Sequence, residues 1–235
     1  MTDHAIKELA PTEAVLLDID GTLLDSNDAH VRSWLDAFGA HGRTFAYGQV
    51  RPLIGKGSDK LLQELLRIGD ADPLSQRLKD ERRDIFLQRY LGALRPTPGA
   101  RELVRKLRDE EIRVVVATAA GAPELEALLR QAGVHDLIEE ATTEDDAERS
   151  KPDPDIVLAA LQRAGVQPVE AMLIGDTPHD VEAARAAGVD AIALRCGGWW
   201  DDAALAGAVA IYDSPAALLQ GWEGSPIQRR RIPGG

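Results

Sequence analysis

The chain has 235 residues, 44% of them hydrophobic, with 27 basic against 39 acidic side chains and a formal charge of -12. That is apolar material for one large or two modest domains, and the acidic balance argues against nucleic acid or an anionic membrane surface as partner. The lone cysteine, Cys196, excludes an internal disulfide framework, no apolar run approaches a membrane span, and Met1-Thr2-Asp3-His4 lacks a signal pattern, so a cytoplasmic location is expected.

The first predicted element is the apolar run Ala14 to Leu17, a short buried strand that stops at Asp18-Ile19-Asp20-Gly21-Thr22. Side chains alternate along a strand, so Asp18 and Asp20 share a face, and Gly21 lets the chain turn away at once. Two carboxylates that close repel each other unless a cation lies between them, and hard oxygen ligands suit a divalent metal such as Mg2+. Taken alone, an Asp-x-Asp-Gly is as well explained as a turn.

From Leu24 to about Pro96 the pattern is helical, at Asp28 to Gly39, Asp59 to Leu66 and Pro73 to Leu91, with no strand between, and Arg95-Pro96-Thr97-Pro98-Gly99 closes the region. Strands and helices then alternate. Strand-like runs fall at Val114 to Ala117, weakly at Asp136 to Glu140, at Ala171 to Ile174 and at Ala191 to Leu194. Helical periodicity falls at Gly99 to Glu110, Pro123 to Ala132, Pro154 to Ala164 and Asp180 to Ala187. Such alternation indicates a parallel sheet with right-handed crossovers, and a helical insert leaving from its carboxyl edge would cover the site formed there. The phrase Ala-Gly-Val closes three of the helices, at Gly133, Gly165 and Gly188, as expected of a left-handed terminating residue. The tail from Gly221, with Arg229-Arg230-Arg231, reads as a flexible solvated end.

Three further polar clusters end predicted strands: Thr118-Ala119-Ala120, Lys151-Pro152-Asp153-Pro154 and Gly175-Asp176-Thr177-Pro178-His179-Asp180. Backbone N–H groups beside Thr118 can hold phosphate oxygens. Singly, each has an ordinary structural explanation; together, in order and at strand ends of one sheet, they describe a site.

These motifs resemble those of the haloacid dehalogenase-like superfamily, whose pattern is Asp-x-Asp-Gly-Thr, then Ser or Thr after a strand, then Lys, then Gly-Asp-x-x-x-Asp; all four occur here, over residues 14 to about 200. The resemblance implies a Rossmann-like, three-layer α/β/α core with a parallel sheet of five or six strands (residues 1–23 and 97–220), an inserted helical cap (24–96) and the flexible tail (221–235). It implies that Asp18 is the nucleophile that forms an aspartyl-phosphate and Asp20 the general acid and base. Thr118, the Ala119 N–H, Gly21 and Thr22 would cradle phosphate, with Lys151 screening the transferred group. Mg2+ would be held by Asp18, the Asp20 carbonyl and Asp176, with Asp180 in support.

Asp20 favours phosphate esters, since relatives that dehalogenate 2-haloacids lack that carboxylate and phosphonate-cleaving relatives carry Ala there. Asp20 and Thr118 are 98 positions apart, room for a cap, whereas Thr118 and Lys151 are 33 apart. That spacing resembles the phosphoglycolate phosphatase-like and beta-phosphoglucomutase-like members. The implied activity is Mg2+-dependent hydrolysis of a small phosphate ester by a monomer or homodimer; a phosphomutase and a non-catalytic binding protein are the alternatives. In the cap, Arg51 and Lys56 are the expected specificity residues and Ser26 and Asn27, with Pro96 to Pro98, the hinge. His30, His41 and His135 are expected in the cap or at the surface, His179 behind the groups that line the site or in solvent, and Trp199-Trp200 in the core, with the site entrance or a dimer contact as the alternatives.

Overall fold

The structure, a computed structural model, describes residues 10–231. Met1 to His4 and the last four residues of the expected tail lie outside them. Six parallel strands, β1 (Ala14–Leu17), β2 (Arg113–Ala117), β3 (Glu140–Thr142), β4 (Ala171–Gly175), β5 (Asp190–Leu194) and β6 (Ala210–Tyr212), form one sheet in the order β3-β2-β1-β4-β5-β6. The order reverses at β1, where Leu17 stands opposite both Val116 and Ile174.

Between β1 and β2 the chain makes α1 (Asn27–Ala40), α2 (Tyr47–Val50), α3 (Ser58–Leu66), α4 (Pro73–Ile85) and α5 (Ala100–Asp109); α6 (Ala122–Gln131) follows β2, α7 (Asp155–Ala164) follows β3 and α8 (Pro178–Ala186) follows β4. Alternation along β1 sends Val15 and Leu17 into one apolar layer with Leu103, Leu107 and Leu128, and Ala14 and Leu16 into the other with Val157, Leu161 and Ala184. The sheet is thus buried on both faces, which its near-continuous apolar strands require. Gly133, Gly165 and Gly188 all adopt positive φ, of 69°, 66° and 76°, at the helix ends where the Ala-Gly-Val phrases placed them.

Helices α1 to α4 bury a core of their own, with Val31, Trp34, Phe38, Leu61, Leu62 and Leu78 at its centre. The insert leaves and returns at one place: Leu24 bridges Pro96 in antiparallel fashion, Asp25 N–H donates to the Arg95 carbonyl at 3.0 Å and Thr97 N–H to that of Leu23 at 3.0 Å.

Three expectations change. The weak strand at Asp136 to Glu140 is a turn on which Leu137 and Ile138 pack beside the core, and the ladder begins only at Glu140, opposite Val115. The helix expected from Asp180 starts at Pro178, because Thr177 caps it and Asp180 is the reciprocal third residue of a capping box. Of the tail expected from Gly221, the described residues 221–231 are structured, following α9 (Pro215–Gln220) with α10 (Pro226–Arg231): Trp222 and Ile227 are buried in the main apolar layer and Arg230 pairs with Asp190. Two well-placed apolar side chains there outweigh the Gly and Pro content.

Candidate active site

Asp18 and Asp20 leave β1, Thr118 leaves β2, Asp176 leaves β4 and Lys151 precedes α7, so the sheet brings all five to its carboxyl edge around the point where strand order reverses. Lys151 is 1% exposed; its Nζ lies 2.7 Å from Asp18 Oδ1, 2.7 Å from Asp180 Oδ1 and 3.0 Å from the Ala117 carbonyl. The contacts with Asp18 and Ala117 are hydrogen bonds and that with Asp180 is an ion pair, so the ammonium is enclosed by oxygen atoms. Burial would lower the Lys151 pKa, but Asp18 and Asp180 outweigh it and raise it.

One cation therefore faces more negative charge than it can neutralise. Burial pushes the Asp18 carboxyl up to about 7; Lys151 opposes the shift while Asp180 and Asp20 add to it. Asp176 is raised well above the usual carboxylate range by burial and by the charges of Asp180 and Asp18. Oxygens of Asp18, Asp176 and Asp180 lie within 4.8 Å of one another, and Thr22 Oγ1 stands 3.4 Å from both Asp18 Oδ2 and Asp176 Oδ1. Buried hard oxygens carrying surplus negative charge fit a divalent cation. With Lys151 drawn to one side by Asp180, the oxygens of Asp18 and Asp176 are the first candidates to hold it.

The surroundings of Asp176 leave little room. Asn27 Nδ2 donates to Asp176 Oδ2 at 2.7 Å. A Cβ on Gly21, whose φ is +77°, would run into the same carboxylate, as would one on Gly197. Cys196 donates its thiol to the Gly21 carbonyl at 3.2 Å, tying the turn after β5 to the turn after β1.

Asp20 is held from the insert. Ser26 Oγ donates to its Oδ1 at 2.5 Å and His30 Nε2 lies 2.7 Å from the same atom, while the His30 ring stacks on Phe86 at 4.2 Å. Burial would raise the Asp20 pKa, but the His30 charge and the hydrogen bonds from His30 and Ser26 bring it below the ordinary carboxylate value. His30 is thus a buried neighbour of Asp20 on α1, and Ser26 and Asn27, expected only as hinge, also reach into the site. A sequence signal existed: His30 falls on the stripe that continues through Trp34 and Phe38, where a buried imidazole needs a polar partner.

Thr118 is buried, its Oγ1 accepting from the Ala120 N–H at 3.1 Å. A cavity of about 60 Å³ opens over Asp18, Asp20, Thr118, Ala119 and Lys151, and the insert roofs it with His30, Ile54, Lys56 and Arg82. It continues past Arg82 and Glu124 into a groove of about 270 Å³ between α3, α4 and the loops after β2 and β3. Lys56 lines the cavity with its Nζ 2.5 Å from Glu64. Arg51 does not line it: its guanidinium lies 5.1 Å above the Trp199 ring and donates to the Trp199 carbonyl at 3.0 Å. Trp199 packs against the insert and Trp200 against the sheet, so this pair belongs to the seam between the two. His179 also sits there, its Nε2 3.1 Å from the Pro52 carbonyl. Lys60 completes the seam, reaching Asp153 at 2.5 Å and the Ser150 carbonyl at 2.6 Å.

This geometry agrees with the sequence comparison: residues 12–188 match the model of the haloacid dehalogenase-like hydrolases. The chain belongs to that family. As a haloacid dehalogenase-like hydrolase with an inserted helical cap, it is 31% identical over 229 residues to a protein of Rhodospirillum rubrum named phosphoglycolate phosphatase, which covers 91% of this chain and 92% of that one. It is 28% identical over 183 residues to a fructose-1-phosphate phosphatase of Escherichia coli, over 77% of this chain and 95% of the other. Among solved structures, a hydrolase from Pseudomonas syringae superposes with a TM-score of 0.83 at 28% identity, covering 90% of this chain and 98% of that one. Among the described residues, no helix of this hydrolase is long and apolar enough to cross a membrane.

Proposed function

We propose that this chain is a Mg2+-dependent phosphatase that hydrolyses a small phosphorylated metabolite, of sugar phosphate or phosphoglycolate type, through an aspartyl-phosphate on Asp18. The observation that carries the reading is the buried cluster in which Lys151 bridges Asp18 and Asp180 with Asp176 beside them. The two curated relatives named above differ in the leaving group that their names specify, so they support the class and no single ester.

In this reading a carboxylate oxygen of Asp18 attacks phosphorus and the bond from phosphorus to the ester oxygen breaks, the leaving oxygen taking a proton from Asp20. Water then attacks the same phosphorus, gives its proton to Asp20 and displaces Asp18, regenerating both groups and releasing phosphate. Asp18, Asp176 and the Asp20 carbonyl, supported by Asp180, would hold Mg2+, which when bound supplies positive charge against the repulsion between carboxylate and phosphate dianion. Thr118 and the Ala119 N–H take phosphate oxygens. His30 and Ser26 position Asp20 and favour its carboxylate form, which suits the water step; an arriving dianion raises the proton affinity of any nearby carboxyl, which suits the first.

Phosphate release measured with Mg2+ over a panel of monoesters tests the proposal. Asp18→Asn should abolish release, because an amide is no nucleophile. Full activity in that variant, or activity that survives complete removal of divalent metal, would overturn it.

A further inference from the structure

Every lysine or arginine that lines the cavity over Asp18, or the groove that continues it, already faces a carboxylate. In the cavity Lys151 lies between Asp18 and Asp180, Lys56 is 2.5 Å from Glu64, and Arg82 Nη1 is 2.5 Å from Glu124 Oε1. The groove adds only Lys79, 2.7 Å from Asp70, and Arg83, 2.8 Å from Asp80. Its wall also carries Glu144, Asp145 and Glu148, none of them in an ion pair among the described residues. Lys151 and a bound divalent cation can receive the phosphate that reacts. Among the described residues, no lysine or arginine of the wall stands without a carboxylate partner to meet a second anionic group.

Arg82 and Glu124 stand where cavity and groove meet, and theirs is the most enclosed of the cap-side pairs, with side chains 14% and 4% exposed. Drawing Arg82 toward a substrate carboxylate would leave Glu124 charged, buried and unpaired, which is strongly unfavourable. Hydroxyl groups make no such demand. They accept from the spare guanidinium N–H groups and donate to the carboxylate, leaving the pair intact.

Resting on the phosphatase reading, we infer that the part of the substrate that does not react is uncharged and hydroxyl-rich: the ester is a monophosphate of a sugar or polyol seated in the 270 Å³ groove, and Arg82 with Glu124 selects it. The same arrangement discriminates against esters bearing a carboxylate or a second phosphate.

The test is phosphate release with Mg2+ from fructose 1-phosphate, glucose 6-phosphate and glycerol 3-phosphate, set against phosphoglycolate and fructose 1,6-bisphosphate, with p-nitrophenyl phosphate as reference. The expected result is a kcat/KM for at least one sugar or polyol monophosphate roughly tenfold or more above both esters that carry a second anionic group, a gap worth about 1.4 kcal/mol per decade. Glu124→Gln, which releases Arg82, should raise the ratio of phosphoglycolate to sugar phosphate turnover by a similar factor, chiefly through KM. Equal or better turnover of the esters with a second anionic group overturns this inference and leaves the phosphatase standing. An unchanged ratio in a folded Glu124→Gln overturns the role of the pair, and should that variant not fold, the preference of the unaltered enzyme decides. Release from none of the esters, p-nitrophenyl phosphate included, overturns both readings.

Discussion

Lys151 concentrates the electrostatics of the site in one side chain, because the ammonium that faces Asp18 also neutralises Asp180 at the first turn of α8. Removing it leaves two buried carboxylates without their cation, and breaking a buried pair in this way costs about 3–5 kcal/mol. Lys151→Met should therefore lower the unfolding free energy by that amount, read as a lower urea midpoint at unchanged slope, and, on the proposed mechanism, lose most phosphate release; a stable variant of normal midpoint would show that Lys151 is not the electrostatic keystone. Cys196 makes the opposite kind of prediction. Burial, with Asp176 nearby, pushes its thiol up to about 12, so at pH 7.5 almost none is thiolate. A chromogenic disulfide reagent should find next to no thiol in the native protein and one per chain after denaturation. His30 marks how far single residues could be read. The motif carboxylates sit at strand ends and announce themselves, whereas the contact between His30 and Asp20 depends on where α1 crosses the sheet edge, which no spacing in the chain records.

Legibility of the elements followed burial. β1, β2, β4 and β5 are buried nearly throughout, and each stood out in the sequence as an uninterrupted apolar run. β3 and β6 are three residues long and half-buried at the sheet margins, so their composition carries little signal. The segment from Gly221 reads as flexible because its contribution comes from isolated side chains: Trp222 and Ile227 are each buried, but a short stretch rich in Pro, Gly and Arg shows no periodicity. Trp222→Ala should cost about 3–5 kcal/mol, as large-to-small changes in a core do. Removing everything after Gly221 should cost at least as much; an unchanged urea midpoint in the truncated protein would mean that this end is held far more loosely than its burial indicates.

For the molecule as a whole, the surplus negative charge at the sheet edge links stability to pH and to metal. A carboxyl raised from 3.8 to about 7, as Asp18 is, binds its proton more tightly folded than unfolded. Its contribution to stability is therefore full below about pH 4 and is lost as pH climbs through about 7. Thermal melts in the presence of a chelator should show stability falling across this window. Saturating Mg2+ should raise the melting temperature most at the alkaline end, adding roughly 2.7 kcal/mol at a concentration of a hundred dissociation constants; Asp176→Asn should abolish that gain. A melting temperature indifferent to Mg2+ at pH 8 would count against a cation among these carboxylates. The bridge between Leu24 and Pro96 bears on a different question. Because the two ends of the insert lie side by side and are hydrogen-bonded to each other, everything between them is a graft with a single attachment point. Asp18, Thr118, Lys151 and Asp176 all lie outside that graft, on the sheet side. One roof can be exchanged for another of different length without re-laying a strand, and its clientele can change so long as the first turns of the insert still bring Ser26, Asn27 and His30 onto Asp20 and Asp176.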